Sequence, residues 1–557
     1  MSLDLGAALA QSRRALWVVA IVPILASPAA AQVSATPTPP DLNEGTVRPP
    51  SVGYQGPRPG TGGEDPNTIR GFEFHTGVGV DEIFTDNARG VASGGLVTVL
   101  PDNTVQVTKQ AKVSDLATKI TPYLSMIDRT ARLEAGLVYT PSFQKYALAS
   151  DLDRFDNTLT ATGQARLWRE HLALNASASL SRQIVDTHAA VTNTGTALST
   201  NQADLQSFIL TPTFKQAFRN VAIAELQYQY GQTSSGAIAP ATTTGVSASL
   251  KSGPDFNRFN WSTTLSSSKT NQGTTSNAGQ IVNNVAVPTT TDSTSRQSGV
   301  VDAVYFLNRT FSLLGGFGYE EVKNGSLTNN IKGPIGNIGI GVIGARTELT
   351  LKLNHRYDST YVTASGNYEL GPQLRLQVSY DESVTTTQEQ TLSDLAALRL
   401  TPNGAFADSK TGLPFTPLTS QFGINSGIGN TAYHDRMARM GLSGTFGRNT
   451  YTIGLTDENR TTDSTNFNET STSFTAGLAR EISSTVNYNL NLGYTNVEDR
   501  SPVAQADDTY SLATGFSFVL NTGLTASATY SLFYRRSTQP GQDIRENAFI
   551  VALRKSL

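Results

Sequence analysis

The first candidate for chemistry is a glycine-rich segment, Gly339 to Gly344, which matches the dinucleotide-binding pattern G-x-G-x-x-G. In a dinucleotide site this pattern follows a strand and opens a helix, whose N-terminus meets the pyrophosphate. Here the residues after Gly344 alternate between polar and apolar types, which is typical of another strand. We therefore interpret these glycines as small strand residues near a bend, and we expect no cofactor.

Three carboxylates, Asp151, Asp153 and Asp156, crowd one predicted turn. Calcium takes about six to eight oxygen ligands at suitable spacing. The glycine of an EF-hand loop is absent here, and Phe155 occupies a ligand position. We interpret the segment as a solvated turn, with a calcium site as the alternative, and we predict no metal site.

No histidine or serine stands in a catalytic or metal-binding pattern. The chain has no H-E-x-x-H zinc motif, no G-x-S-x-G elbow and no cysteine for a thiolate site. A triad assembled from distant strands is recognised by geometry, so that alternative stays open. We predict no catalytic residues and a protein that is not an enzyme. The five histidines are His75, His171, His188, His355 and His434.

The strongest pattern in the chain is an alternation of apolar and polar residues, clearest over 346–381. Leu349, Leu351 and Leu353 alternate with Thr350 and Lys352, and the pattern restarts after 358 and after 372. A period of two indicates β-strands, because successive side chains point to opposite faces. Segments of about ten residues with tyrosine near their ends are typical of strands that face lipid on one side and water on the other.

The alternation begins at Phe72 and predicts about 22 strands, or 18 to 22 if neighbours merge. Short and long connections alternate along the chain. The short turns lie near 128–129, 219–220, 371–372 and 448–449, and the long loops lie at 87–112, 187–203, 271–294 and 387–433. Single-chain outer-membrane barrels join strands in this way. We predict an all-β fold, a transmembrane antiparallel up-and-down β-barrel over 70–557, and we expect no helix.

The polar face of the predicted strands should line a wet lumen. Charges on this face look sparse, and neutral amides and hydroxyls outnumber them, which suits passage of a hydrated, hydroxyl-rich polymer. The alternative is that these residues are only a wetted wall. The candidate lumen-lining residues are Arg132, Glu134, Glu225, Gln227, Gln229, Glu348, Lys352, Arg375, Gln377, Asn487, Asn489 and Asn491.

The longest connection, 387–433, is the candidate for a constriction. Long loops in compact domains are commonly functional. We hypothesise that this loop folds inward and narrows the pore as a gate, and a surface loop is the alternative. Its candidate residues are Asn403, Asp408, Lys410 and Phe415.

The N-terminal part reads as an export signal followed by a linker. Residues 1–31 carry Arg13 and Arg14, then an apolar run, then a small-residue cleavage site, as a signal peptide does. Residues 32–69 are rich in proline and are predicted to be a disordered periplasmic linker. The net charge of −3 gives no basic excess, so we expect no nucleic-acid partner. The expected location is the cell outer membrane of a Gram-negative organism.

Several short motifs carry a resemblance to a known family. They are Gly333-Pro334 before a glycine-rich strand, the strand from Leu349 to Tyr357, the segment 379–386 (SYDESVTT), and 84–87 (FTDN) followed by Thr121-Pro122. The chain resembles the outer-membrane β-barrel proteins associated with the PEP-CTERM/exosortase system, within the wider β-barrel porin class. That resemblance implies a part in exopolysaccharide production or export, with exopolysaccharide and export components of the periplasm or outer membrane as partners besides the membrane lipids.

Three functions follow from this reading of the sequence. The first is a passive outer-membrane channel for exopolysaccharide export. The second is a general or small-solute porin. The third is a structural or adhesive barrel whose loops bind a surface partner.

Overall fold

The structure is a computed structural model of the chain. It describes residues 71–92, 96–99, 105–108, 112–168, 171–184, 202–236, 240–273, 281–282, 285–286, 293–324, 331–356, 359–371, 373–401, 404–409, 415, 432–461, 468–499, 505–539 and 541–557. The predicted signal peptide, 1–31, and the predicted linker, 32–69, lie outside these residues.

The described residues form one closed sheet of 22 antiparallel strands. In chain order the strands are β1 (Phe72–Thr85), β2 (Asp115–Arg129), β3 (Leu133–Tyr146), β4 (Arg154–Trp168), β5 (Leu172–Ile184), β6 (Gln202–Phe218), β7 (Ala222–Ser235), β8 (Ala241–Ser252), β9 (Phe259–Gln272), β10 (Ser293–Phe306), β11 (Phe311–Asn324), β12 (Ile331–Ile343), β13 (Thr347–Arg356), β14 (Ser359–Gly371), β15 (Leu374–Thr385), β16 (Tyr433–Phe446), β17 (Asn449–Thr461), β18 (Asn468–Ser483), β19 (Val486–Asp499), β20 (Gln505–Asn521), β21 (Leu524–Ser537) and β22 (Ile544–Ser556).

The sheet closes because β1 pairs with β2 on one side and with β22 on the other. Val80 faces Leu553 across the closing seam, and Phe84 faces Phe549. Every other strand pairs with its neighbours in the chain, so the barrel is up-and-down and leaves no open edge. The predicted fold class and the predicted number of strands are both confirmed.

The described residues also form elements outside the barrel wall. The longest is helix α1 (Thr387–Ala396), in a segment where the sequence predicts no helix, so that expectation is wrong. A short 3-10 helix covers Ser150–Leu152. Three small hairpins pair Leu96–Val99 with Val105–Thr108, Ile281–Val282 with Val285–Ala286, and Leu398–Leu400 with Phe406–Asp408. No helix among the described residues has both the length and the apolar character needed to cross a membrane.

The wall is apolar outside and polar inside. On β13, Leu349, Leu351 and Leu353 point outward and are 38%, 41% and 49% exposed. On β5 the inward residues include Asn175 and three serines, of which Ser177 and Ser179 are buried. This distribution is the reverse of that in a soluble protein. Burying one large apolar side chain is worth about 1.5–3 kcal/mol, so a band of dozens of them requires a lipid environment.

Aromatic residues flank the apolar band at both edges. At one edge the rings of Trp168 and Phe214 lie 6.4 Å apart. At the other edge Tyr510 contacts Tyr494 and Tyr534, with ring centroids 5.1 and 6.0 Å away. Such girdles occur where a barrel passes the two membrane–water interfaces.

The two edges of the barrel differ in their connections. At the edge we call the turn rim, strands are joined across 130–132, 219–221, 344–346, 447–448 and 522–523. At the opposite edge, the loop rim, the connections include 86–114, 185–201, 273–292 and 386–432. The predicted asymmetry is therefore present, although β13 and β14 are joined at the loop rim across 357–358 alone.

Candidate functional site: the bore and the insert that crosses it

The connection between β15 and β16, residues 386–432, enters the barrel; we call it the insert. Its helix α1 starts at an N-cap, in which the Thr386 hydroxyl accepts a hydrogen bond from the Glu389 N–H at 3.2 Å. Residues around most of the circumference of α1 are buried. A helix at a loop of an apolar-outside barrel becomes buried in this way only when it packs inside the wall.

A polar anchor holds α1 to β16 and β17. The side-chain oxygen of Gln390 accepts hydrogen bonds from the Tyr433 hydroxyl at 2.7 Å and from Arg460 Nη2 at 2.6 Å. The Arg460 guanidinium also lies 4.5 Å from the Tyr433 ring centroid and pairs with Glu458 at 3.0 Å. All four side chains are buried. Hydrogen bonds to a buried charge are worth about 1.5–3 kcal/mol each, so Gln390 fixes the start of α1.

An apolar anchor holds the other end of α1 to β6 and β7. Leu392, Leu395 and Leu398 pack on Ile209 of the wall, with Phe406 and Phe415 against the same cluster. The adjacent wall position is Gly231, and a Cβ there would lie 2.7 Å from Leu392 Cδ1. The wall thus contacts the helix through the apolar side chain of Ile209, and the absence of a side chain at Gly231 leaves space for Leu392.

These anchors lie on opposite sides of the bore. Besides β6 and β7, α1 reaches β9, where Gln272 donates to Gln388 at 3.5 Å and Thr270 donates to Glu389 at 3.3 Å. Around the 22-stranded ring, β7 and β17 are ten positions apart in one direction and twelve in the other. The helix therefore crosses the bore.

The hairpin of the insert continues toward the turn rim. Leu400 packs against Gly136, the fourth residue of β3, where a Cβ would lie 2.6 Å from Leu400 Cδ1. Gly404 has a φ of +79° and lies against Ile127 near the end of β2. Arg129 donates to the Thr401 carbonyl. A single insert thus extends from the loop rim, where it enters, to the turn rim.

Buried charges form a belt inside the wall near the loop rim. Asp507 pairs with Arg535 at 3.0 Å, and Glu320 pairs with Arg356 at 2.5 Å. Burying an unpaired ion costs several kcal/mol, which explains why the two fully buried arginines, Arg460 and Arg535, each lie against a carboxylate. The expectation of sparse inward charge is therefore wrong at this level of the bore. The belt contains Glu320, Asp435, Glu458, Arg460, Glu469, Asp507, Arg535 and Glu546.

The carboxylates of the predicted turn at 151–156 are each engaged. Asp151 accepts two hydrogen bonds from Arg89 at 2.7 and 2.8 Å, and these bonds hold the pKa of the Asp151 carboxyl below its usual value. Asp153 accepts from the Tyr146 N–H at 2.8 Å, and Asp156 forms ion pairs with two arginines. The described residues contain no group of carboxylates or histidines that could hold a metal ion.

Most candidate lumen-lining residues occupy inward positions. Glu225 lies 3.5 Å from Lys215, and Arg375 lies 3.3 Å from Glu369. Arg132 is an exception, because it lies exposed in the turn after β2 and not on the wall. The inward set is Glu134, Glu225, Gln227, Gln229, Glu348, Lys352, Arg375, Gln377, Asn487, Asn489 and Asn491.

The candidate constriction residues fall partly inside the insert core. Asp408 is buried in the hairpin, and Phe415 packs on the apolar anchor. Asn403 and Lys410 lie outside the described residues.

The sequence alone does not identify the residues that position the insert. Gln390, Tyr433 and Arg460 belong to no motif. Two signals are nevertheless present: the T-x-x-E capping box at 386–389, and the apolar Ile209 between Ser207 and Thr211 in the inward row of β6.

No family model and no curated protein matches this chain. Among solved structures, the siderophore receptor PirA from Acinetobacter baumannii is similar at 7% identity and a TM-score of 0.44, over 88% of this chain and 81% of that chain. The FrpB iron transporter from Neisseria meningitidis is similar at 9% identity and 0.45, over 87% and 82%. A ferric enterobactin receptor mutant from Pseudomonas aeruginosa, in complex with enterobactin, is similar at 11% identity and 0.43, over 87% and 81%.

Proposed function

We propose that this protein is an outer-membrane channel that is gated by its own insert. The observation that carries the proposal is the crossing of the bore by α1 and its hairpin, which are anchored to opposite arcs of a closed cylinder. The apolar exterior supports a location in a membrane, and closed barrels of this kind belong to outer membranes. The protein then acts by passage and not by catalysis.

The two anchors support a closed resting state. Two leucines of α1 contribute about 1.5–3 kcal/mol each by burial. The hydrogen bonds of Gln390 to charged and hydroxyl groups add to this. A net preference of only about 3 kcal/mol leaves the insert displaced in under about 1% of molecules. Rare opening, and not permanent conduction, is therefore the expected behaviour of the unmodified protein.

The proposed cargo is a hydrated, hydroxyl-rich polymer, as in exopolysaccharide export. The inward face has amides and hydroxyls through much of its depth, although carboxylates outnumber arginines in the charged belt near the loop rim. The resemblance to barrels of the PEP-CTERM/exosortase system supports the same cargo, and export components would then be partners. A small-solute porin is less well supported, because a porin needs a bore that stays open.

The test compares single-channel conductance of three full-length proteins in planar bilayers. Leu395→Asp places a carboxylate in the apolar anchor, which costs several kcal/mol if the anchor stays closed. Ala396→Asp adds the same charge at the next, exposed residue of α1 and serves as the matched control. We expect large conductance steps that are frequent in Leu395→Asp and rare in the other two proteins.

Three results would contradict the gate, the cargo or the channel function. Equal conductance of all three proteins, each shown to be a folded barrel by its heat-dependent shift in gel mobility, would overturn gating by the insert. Rapid permeation of small sugars through the unmodified protein, with no block by a polymer, would replace the exporter with a small-solute porin. Binding to a surface partner that is lost on shortening 187–203 or 271–294 would favour adhesion.

A further inference from the structure

One arc of the inner wall carries no ionisable side chain at mid-depth, as is also true of β8 and β9. It lies at mid-depth on β17–β21, between the charged belt at the loop rim and Glu481 at the turn rim; we call it the neutral field. Cross-strand pairs place its residues on one surface. Its polar members are Thr452, Thr456, Ser473, Thr475, Asn489, Asn491, Thr495, Ser511, Thr529 and Ser531.

Two asparagines stand out from this surface because their neighbours are small. Asn489 lies between Ala479 on β18 and Gly515 on β20. Asn491 lies in the same way between Gly477 and Ala513. Each amide therefore projects beyond the side chains beside it and toward the bore.

The amides of Asn489 and Asn491 make no hydrogen bond to any residue that the structure describes, and both side chains are only partly buried. Inward asparagines on another arc behave differently. Asn337 donates to Asp302 at 3.1 Å, and Asn354 donates to Thr363 at 2.8 Å. The same residue type is thus used for internal bonding on β12 and β13 and left available on β19.

The insert reaches the wall elsewhere. Within the described residues, its contacts are to β2–β7 and β9, to Tyr433 at the start of β16, and to the charged belt at Glu458 and Arg460. The neutral field, which lies below that belt, therefore faces the part of the bore that these contacts leave uncovered.

We propose that Asn489 and Asn491, together with the hydroxyls of Thr452, Ser511 and Thr529, form a binding site for a neutral saccharide chain. This inference deepens the proposed function, on which it rests, by naming the class of cargo and the arc of wall that it follows. A primary amide offers two donors and an acceptor, which match the paired hydroxyls of a sugar ring. The absence of charge distinguishes a neutral glycan from a uronate or phosphate polymer, which would require cationic side chains.

The test uses single cysteines, since the chain has none of its own. Asn489→Cys in the otherwise unmodified full-length protein is reacted with a small thiol reagent, with and without a neutral glucan oligosaccharide. At a sugar concentration about four times its Kd, the reaction should slow about five-fold, because about one-fifth of the sites stay empty. Asn354→Cys on β13 is the matched control and should react at an unchanged rate. An oligogalacturonate of equal length should not protect Asn489→Cys.

Three outcomes would overturn the inference. In the first, the glucan protects Asn489→Cys and Asn354→Cys equally. In the second, the oligogalacturonate protects Asn489→Cys as well as the glucan does. In the third, Asn489→Cys does not react with the thiol reagent at all. Failure of the gating test would leave this assay informative, because the reagent and the sugar need only enter the bore and not pass through it. A protected Asn489→Cys together with a silent Leu395→Asp channel would retain the site and reject the gate.

Discussion

The two sides of the bore use the same inward polar surface for different purposes. On β5–β7 the helix α1 packs against the inner wall, where Ile209 and Gly231 seat its leucines and where Ser177, Ser179 and Ser207 are buried. On β17–β21 the inward Thr452, Asn489, Asn491, Ser511 and Thr529 remain partly exposed at mid-depth, whereas Ser473 and Ser531 beside them are buried. The difference shows that an inward polar residue does not by itself line a path. Whether it does so depends on whether the insert covers it.

The strongest test of this comparison removes the polar anchor. Gln390→Leu would take away the acceptor of Tyr433 and of Arg460 in a buried site, and losing such a partner costs about 2–4 kcal/mol. We expect the insert to be displaced about 30-fold to 1000-fold more often, seen as the open probability in single-channel recordings. Gln377→Leu, an inward residue far from α1, is the control. An unchanged open probability would show that the polar anchor does not hold the gate.

A smaller effect is expected at the glycine seat. Gly231→Ala would place a Cβ 2.7 Å from Leu392 Cδ1, and overpacking of this kind costs about 1–3 kcal/mol. The open probability should rise, by less than in Gln390→Leu. Gly245→Ala, on the next strand, would meet nothing closer than 3.4 Å and should behave like the unmodified protein. Equal behaviour of the two alanine variants would argue against close seating of α1.

Adding a charge to the neutral field tests whether ions pass along that arc of the wall. Asn491→Asp in the Leu395→Asp background should make the open channel prefer cations, since two unit charges about 4 Å apart in water interact by about 1 kcal/mol. The permeability ratio from reversal potentials should change by up to about five-fold. Asn354→Asp lies beside Lys352, which offsets the new charge, and should change the ratio less. A larger change from Asn354→Asp would place the ion path on β13.

The smallest effect is expected at the exposed Arg89–Asp151 pair. Because the pKa of Asp151 is lowered in the folded protein, its contribution is complete above the unfolded pKa of about 3.9 and is lost as the pH falls through the folded value. Hydrogen exchange of the 147–153 segment should therefore accelerate in acid below that range. Arg89→Ala should abolish this acid dependence and leave the gate unaffected. An acid response that survives Arg89→Ala would assign it to another group.

The sequence predicts the strands of the barrel wall much better than it predicts the charged belt and the insert inside the barrel. Alternation shows every barrel strand, because lipid on one face and water on the other impose opposite polarities on successive residues. Near the loop rim both faces meet water, and a segment such as 457–460 (DENR) is polar at every position. Alternation therefore fails to show that Glu458 and Arg460 point inward.

The position of the insert could not be predicted from the sequence for a different reason. Its position depends on contacts between residues far apart in the chain, such as Gln390 with Arg460 and Leu392 with Gly231. The local signals, a capping box and two leucines three residues apart, indicate a helix but not what it packs on. The asparagines on β19 show the opposite case, because their inward direction follows from local alternation alone.

The course of the hairpin has a consequence for how such a gate would be controlled. The insert enters from the loop rim, yet Leu400 and Gly404 rest against β3 and β2 beside the opposite mouth. One continuous segment is therefore within reach of both compartments. A force applied to the hairpin at the turn rim would be transmitted along the chain to α1. Opening therefore need not begin at the loop rim, where the insert enters.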